Sequence, residues 1–159
     1  MKELLARKAE TPKPTVVCLC GSTRFVKAFV EANLRETLAG RIVLSIGCNT
    51  KSDHDLEVAG VHLDKDMLDV LHLFKIDLAD EILVLNGDGY IGASTRREIT
   101  YARRKNKRVR YLEIHPCLTC GDEAYEKITN TARRFVYWSC GGCLDDARTV
   151  ANLNGSVDE

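Results

Sequence analysis

Nowhere in the 159 residues does an apolar run approach the roughly 20 residues needed to span a bilayer. The stretch from Met1 to Pro14 is charged and lacks the apolar centre of a secretory leader. The expectation is a soluble cytoplasmic protein without a membrane partner. Net charge is also absent: 23 Lys plus Arg balance 23 Asp plus Glu, so no overall field draws nucleic acid or a membrane surface. The turn Gly21-Ser22-Thr23-Arg24 after the first strand is neither a Walker loop nor G-x-G-x-x-G, which disfavours ATP and dinucleotides there. What is present is 45% hydrophobic and 29% charged sequence, enough for one compact α/β core and a small appendage.

The chain divides by composition. Residues 1–14 read as a frayed arm, with a short helix over Lys2 to Glu10 stopped by Pro12 and Pro14. Thr15 to Cys20 is a short, apolar, partly β-branched run that predicts a buried strand and leads directly into Gly21-Ser22-Thr23-Arg24. Gly21 allows a tight turn, Ser22 or Thr23 can cap the next helix, and that helix's free amides can then face a phosphate or sugar. A plain capped helix start explains the same residues. Phe25, Phe29, Ala32, Leu34 and Leu38 predict a helix over 24–39 ended by Gly40, and Arg41 to Ile46 a second strand. The polar segment from Gly47 to Asp55 follows. Its Cys48 has only His54 near it in sequence as a base and reads better as an inert cysteine.

Leu63 to Ala79 has the spacing of a helix, with Met67, Leu68, Leu71, Ile76 and Leu78 as its apolar positions. Asp69, His72 and Asp80 fall close to one side of it, whereas Asp77 reads as structural. Glu81 to Leu85 is a third strand. The segment after it, N-G-D-G-Y-I-G-A-S-T-R-R-E-I-T-Y-A from Asn86 to Ala102, reads as strand, glycine-rich loop and helix start. In an open α/β sheet that edge is where ligands bind. Ser94, Thr95, Arg96, Arg97 and Glu98 crowd one helical turn, a set suited to a phosphorylated or sugar-bearing small molecule. Thr95-x-x-Glu98 also fits a capping box, so Glu98 has both a catalytic and a structural reading. The helix over 95–105 ends in the basic run from Arg103 to Arg108, which suits a helix C-terminus better than a nucleic-acid patch. Val109 to Leu112 is a fourth strand.

From about Glu113 the chemistry changes. Cys117-x-x-Cys120 and Cys140-x-x-Cys143 lie nineteen residues apart, with glycines beside both pairs. In a reducing compartment this spacing signals structural zinc held by four thiolates in a closed tetrahedral shell, with no open position for water. His115 is the weaker alternative ligand. Residues 113–150 form this zinc ribbon, stiffened by the apolar strand Phe135-Val136-Tyr137-Trp138, and residues 151–159 are a tail.

Three stretches together, V-C-L-C-G-S-T-R-F, K-I-D-L-A-D-E-I-L-V-L and G-Y-I-G-A-S-T-R-R-E-I-T-Y-A-R, resemble the nucleoside 2-deoxyribosyltransferase superfamily. Its relatives include 2′-deoxynucleoside 5′-monophosphate N-hydrolases and cytidylate N-glycosidases. The resemblance covers residues 15–112. It implies a Rossmann-like or flavodoxin-like parallel sheet and cleavage of the bond between an anomeric carbon and a nucleobase. It places the catalytic glutamate at Glu98 and implies no organic cofactor. The family's aspartate eight residues before Asp80 is His72 here, which leaves His72, Asp69 or Asp88 to handle the leaving base. The glycine usual in the small-residue run before the glutamate is replaced by Ser94 to Arg97.

The cations and hydroxyls decide between sub-activities. Gly21, Ser22, Thr23, Arg24, Gly92, Ser94, Thr95 and Arg96 are the expected substrate-binding residues and favour a nucleoside 5′-monophosphate, giving an N-glycosidase with deoxyribosyl transfer close behind. The family analogy implies a homo-oligomer, a dimer or higher, with a site near the subunit interface. The competing class is a non-catalytic nucleotide-sensing module whose ribbon contacts a partner. Its nucleic-acid version is weakened because Lys127, Arg133, Arg134 and Arg148 are offset by Asp122, Glu123, Glu126, Asp145 and Asp146.

Overall fold

The computed structural model describes residues 1–46, 64–118, 120–130, 135–140 and 142–143. The segment 47–63, with Cys48 and His54, and the tail 151–159 lie outside the described residues. Four strands form a parallel sheet in the order β2-β1-β3-β4: β1 is Val16–Gly21, β2 Ile42–Leu44, β3 Glu81–Leu85 and β4 Arg108–Tyr111. The expected α/β, Rossmann-like sheet is therefore present. β3 has its expected bounds, and β1 and β4 shift by a single residue from theirs. β2 is shorter than Arg41 to Ile46.

Strand alternation sorts the core into two layers. Val17, Leu19, Leu83 and Leu85 point to one face and pack on Phe29 and Ala32 of α2 (Val26–Leu38). Cys18, Cys20, Ile82 and Val84 point to the other, against Ile76 and Ala79 from α3 (Lys65–Leu78) and its end, and Ile99 and Ala102 from α4 (Ala93–Arg104). All five β3 residues are buried, as a central parallel strand covered on both faces requires.

The helix faces differ from the sequence expectation. On α2, Leu34 and Leu38 are exposed, and Glu36 is buried instead, bonded to Arg110 and Arg41. On α3, Met67, Leu71 and Leu78 face outward while His72 and Ile76 face the sheet. Five of the apolar residues expected in α3 could not all be inward, because the inward stripe of a two-layer contact is narrow. Asp80 lies beyond the end of α3 and accepts from the Val16 amide, so it ties helix to strand and is not part of a helical triad. The arm forms α1 (Lys2–Glu10), which buries none of its residues.

The basic run after α4 is consumed structurally: Arg103 reaches the Tyr111 and Tyr125 hydroxyls, Lys105 pairs with Asp77, and Lys107 caps the Asp77 and Ala79 carbonyls. C-terminal to the sheet, β5 (His115–Pro116) pairs with β6 (Glu123–Ala124), and β7 (Glu126–Asn130) with β8 (Phe135–Ser139), both antiparallel.

Candidate functional site

The C-terminal edge of the sheet assembles the candidate site from three elements, β1, α3 and α4. Cys18 and Cys20 alternate with Leu19 on β1 and so share the face that α3 and α4 cover. His72 projects from α3 toward them, with Nε2 3.5 Å from the Cys20 Sγ and 3.9 Å from the Cys18 Sγ. Glu98 comes from the second turn of α4, with Oε2 3.8 Å from the same His72 nitrogen. His72 is 9% and Glu98 15% exposed at the side chain, and the Glu98 Oε2 is a buried oxygen with no hydrogen-bond partner among the described residues. A buried, unpartnered carboxylate oxygen costs about 1–3 kcal/mol.

The capping explanation for Glu98 does not hold. α4 starts two residues earlier than expected, its N-cap is Gly92, and no side chain caps it. Thr95 is inside the helix and buried, so the Thr95-x-x-Glu98 pair is not a capping box. Ser22 likewise makes no cap bond. Its hydroxyl accepts from Arg24 Nε at 3.2 Å, at the start of a short 3₁₀ turn over Thr23–Phe25 that precedes α2.

Charge in the site is set by burial and by neighbours. Burial pushes the Glu98 carboxyl up, which the His72 charge opposes. Burial works against a charged His72, yet the hydrogen bond to Cys18 and the carboxylate of Glu98 raise it above its ordinary value. The Cys18 thiol is held down, at about 6, by its hydrogen bond to Cys20 and by His72, against burial. Cys20 is pushed up by that same bond and by burial.

The remaining candidates divide. Asp69 lies at the mouth, bonded to Arg97 at 3.1 Å, and Arg97 also donates to Ser94 Oγ at 3.1 Å. Asp69, Leu73, Ser94, Arg97, Glu98 and Tyr101 help to line an open cleft of about 510 Å³ between α3 and α4. Asp88 is exposed in a left-handed turn at φ 52°, its amide held by Glu113 Oε1. Arg24 stacks on Tyr90, 4.2 Å from the ring centroid, and Gly92 lies under the Tyr90 hydroxyl. Gly21 is close to the Leu85 backbone, where a Cβ would come within 3.2 Å of the carbonyl oxygen. Arg96 also borders the cleft, but both ends of its guanidinium bond the buried Glu126 carboxylate, one at 2.6 Å.

That pair belongs to a seam joining the glycine loop to the C-terminal strands. The buried Asn86 side chain donates to the Glu113 and Tyr125 carbonyls and accepts from the Glu113 amide, using three of its hydrogen-bonding positions. Tyr125 stacks on Tyr111 at 3.8 Å. Gly89, at φ 68°, sits so close to the ribbon that a Cβ would lie 2.5 Å from the Lys127 Cβ and 2.7 Å from Trp138 Cη2.

No family model and no curated protein matches the chain.

The four ribbon cysteines converge as their spacing predicts. The sulfurs of Cys117, Cys120, Cys140 and Cys143 all lie within 4.8 Å of one another, and the Cys120 and Cys140 sulfurs are 3.6 Å apart. This set can hold a metal ion. His115 stands outside it, stacked on the Trp138 ring at 3.8 Å. Sequence reasoning missed one grouping. Cys18 and Cys20 also meet His72, all three donor atoms within 4.8 Å, and the only signal was two thiols two residues apart on a buried strand.

Proposed function

We propose that the protein is an N-glycosidase that cleaves the base–sugar bond of a nucleoside 5′-monophosphate, with Glu98 as nucleophile. The observation that carries the reading is the Glu98 carboxylate: buried, beside His72, and with an oxygen that no described group hydrogen-bonds. Proteins retain such costly groups where a reacting atom is to sit. The resemblance to the nucleoside 2-deoxyribosyltransferase superfamily points to the same residue by an independent route.

In this mechanism a Glu98 oxygen bonds to the anomeric carbon as the carbon–nitrogen bond breaks, and the base leaves with that electron pair. Protonated His72 gives its proton to the departing base. Water then attacks the glycosyl ester, the freed His72 takes the water's proton, and Glu98 is restored. A second base in place of water would give transfer. His72 suits the proton role better than Asp69, which is bound to Arg97 at the mouth, or Asp88, which is exposed. With Arg96 committed to Glu126, the phosphate falls to the Gly21-Ser22 turn and Arg24. The four ribbon cysteines would hold zinc as a structural ion that fixes the seam behind the loop. Apolar stripes on the outer faces of α2 (Val30, Leu34, Leu38) and α3 (Val70, Phe74, Leu78) support a homo-oligomer, to be checked by sedimentation; a monomer at all concentrations would remove that part.

The test is release of free base from a panel of nucleosides and their 5′-monophosphates, followed by chromatography, with Glu98→Gln alongside and a second base in half the reactions. Release by the wild type alone, from monophosphates, is expected. Exchange into the added base would make the protein a transferase. Equal, negligible release by both proteins would discard the enzyme reading in favour of a binding module.

A further inference from the structure

Cys18, Cys20 and His72 were absorbed only in part by the glycosidase reading, which uses the imidazole and leaves two buried thiols without a task. Their spacing is that of a coordination shell. With zinc–sulfur bonds of about 2.3 Å and zinc–nitrogen bonds of about 2.0 Å, a tetrahedron places two sulfurs about 3.8 Å apart and a sulfur and a nitrogen about 3.5 Å apart. The Cys20 Sγ and Cys18 Sγ lie 3.5 and 3.9 Å from His72 Nε2, and all three donors fall within 4.8 Å. The ribbon supplies an internal yardstick, since its Cys120 and Cys140 sulfurs are 3.6 Å apart. A fourth donor stands nearby: Glu98 Oε2, which no described group hydrogen-bonds, is 3.8 Å from the same nitrogen, but it lies outside the set of three mutually close donors and would move inward to join them.

We propose a second metal site in this protein, at Cys18, Cys20 and His72 with Glu98 as fourth ligand, that takes a divalent zinc ion and silences Glu98 when filled. The donor set is two thiolates, one imidazole and one carboxylate, which suits zinc and disfavours magnesium or calcium, whose ligands are oxygens. The two cysteines sit on a central strand, and the histidine on a helix packed against it, so three of the four ligands are in place and closing the shell takes an inward move of the Glu98 carboxylate. Glu98 lines the cleft between α3 and α4, and that cleft is the ion's route inward. Binding displaces the protons that the thiols and the imidazole carry and occupies the carboxylate lone pair that would attack the anomeric carbon. The inhibitory half rests on the glycosidase reading; the site itself does not.

The experiment is equilibrium dialysis of the full chain against increasing zinc, with metal counted per chain, for the wild type, Cys20→Ser and His72→Gln. Two ions per chain are expected in the wild type and one in each variant, the histidine change serving where the core cysteine change impairs folding. Cobalt substitution assigns the lost ion: the second equivalent should carry roughly half the thiolate-to-cobalt absorption of the first, having two thiolates instead of four. One ion in the wild type, or a second ion that both variants retain, overturns the site. Base release from a nucleoside 5′-monophosphate, measured on the same samples, should fall at least tenfold as the second ion binds. Undiminished release at two ions per chain overturns the silencing. Absence of release from one-ion protein overturns the glycosidase reading, and the metal count still decides the site.

Discussion

Gly89→Ala separates two contributions that are usually confounded. Gly89 has φ 68° and Gly40 has φ 76°, so an alanine at either position adopts a left-handed backbone that costs about 1–2 kcal/mol. Around Gly40 no described residue lies within 4 Å of the added methyl, whereas at Gly89 it meets Lys127 Cβ at 2.5 Å, the Lys127 backbone nitrogen at 2.7 Å and Trp138 Cη2 at 2.7 Å. Two of those three atoms belong to a backbone or to the root of a side chain and cannot swing away. Overpacking of this kind adds about 1–3 kcal/mol. Gly40→Ala should therefore cost about 1–2 kcal/mol and Gly89→Ala about 2–5 kcal/mol, the difference being the closed seam between the glycine loop and the ribbon. Urea unfolding of both variants and the wild type, compared at equal m-values, measures the difference. If the two alanines cost the same within about 0.5 kcal/mol, the loop does not rest on the ribbon and the seam argument fails.

Arg96→Ala should destabilise the protein by about 1–3 kcal/mol through loss of the two-ended bond to Glu126, with no selective rise in KM for monophosphates; the opposite pattern, in unfolding and steady-state kinetics, would return Arg96 to the substrate. Removal of metal from the four-cysteine site should change the emission of Trp138, the single tryptophan, because the Leu118 amide of the knuckle bonds its carbonyl at 3.0 Å and His115 stacks on its ring; unchanged fluorescence after verified metal loss would uncouple ribbon and metal. For Glu36, burial alone would raise the carboxyl, but the Arg110 and Arg41 guanidiniums outweigh it and hold it below its ordinary 4.5. Its stabilisation is thus complete above pH 4.5 and is lost as pH falls through the lower folded-state value. Glu36→Gln should cost about 2 kcal/mol at pH 7 and progressively less in acid, so parallel stability–pH curves for the two proteins would refute the assignment.

Local pattern was sufficient for much of this molecule. The apolar β3 run has no polar residue to place on a wet face, so a central strand was the one position open to it, and it has the expected bounds. The spacing of Cys117, Cys120, Cys140 and Cys143 likewise carries its own geometry, because two chelating pairs need little from the rest of the chain to converge. The C-terminal edge of the sheet and the prominence of Glu98 and His72 were legible for the same reason: both sit at short, fixed offsets from recognisable strands and loops.

What the sequence could not determine involves partners distant along the chain. Whether Glu98 caps its own helix or stands in a buried cluster depends on where α4 begins, and that is set by the packing of Thr95 and Ile99 against the sheet. Whether Arg96 faces a ligand or the ribbon depends on Glu126, thirty residues on. Helical periodicity in α3 offered more apolar positions than one sheet face can cover, and tertiary packing chose the stripe that carries His72 inward and leaves Met67, Leu71 and Leu78 outside. The meeting of that imidazole with two thiols fifty-two and fifty-four residues away was written in no local pattern. Sequence by itself thus determined the elements and the residue types available at the sheet's edge. Tertiary structure decided which of them meet, because each contact is made by side chains whose separation along the chain carries no periodic signal.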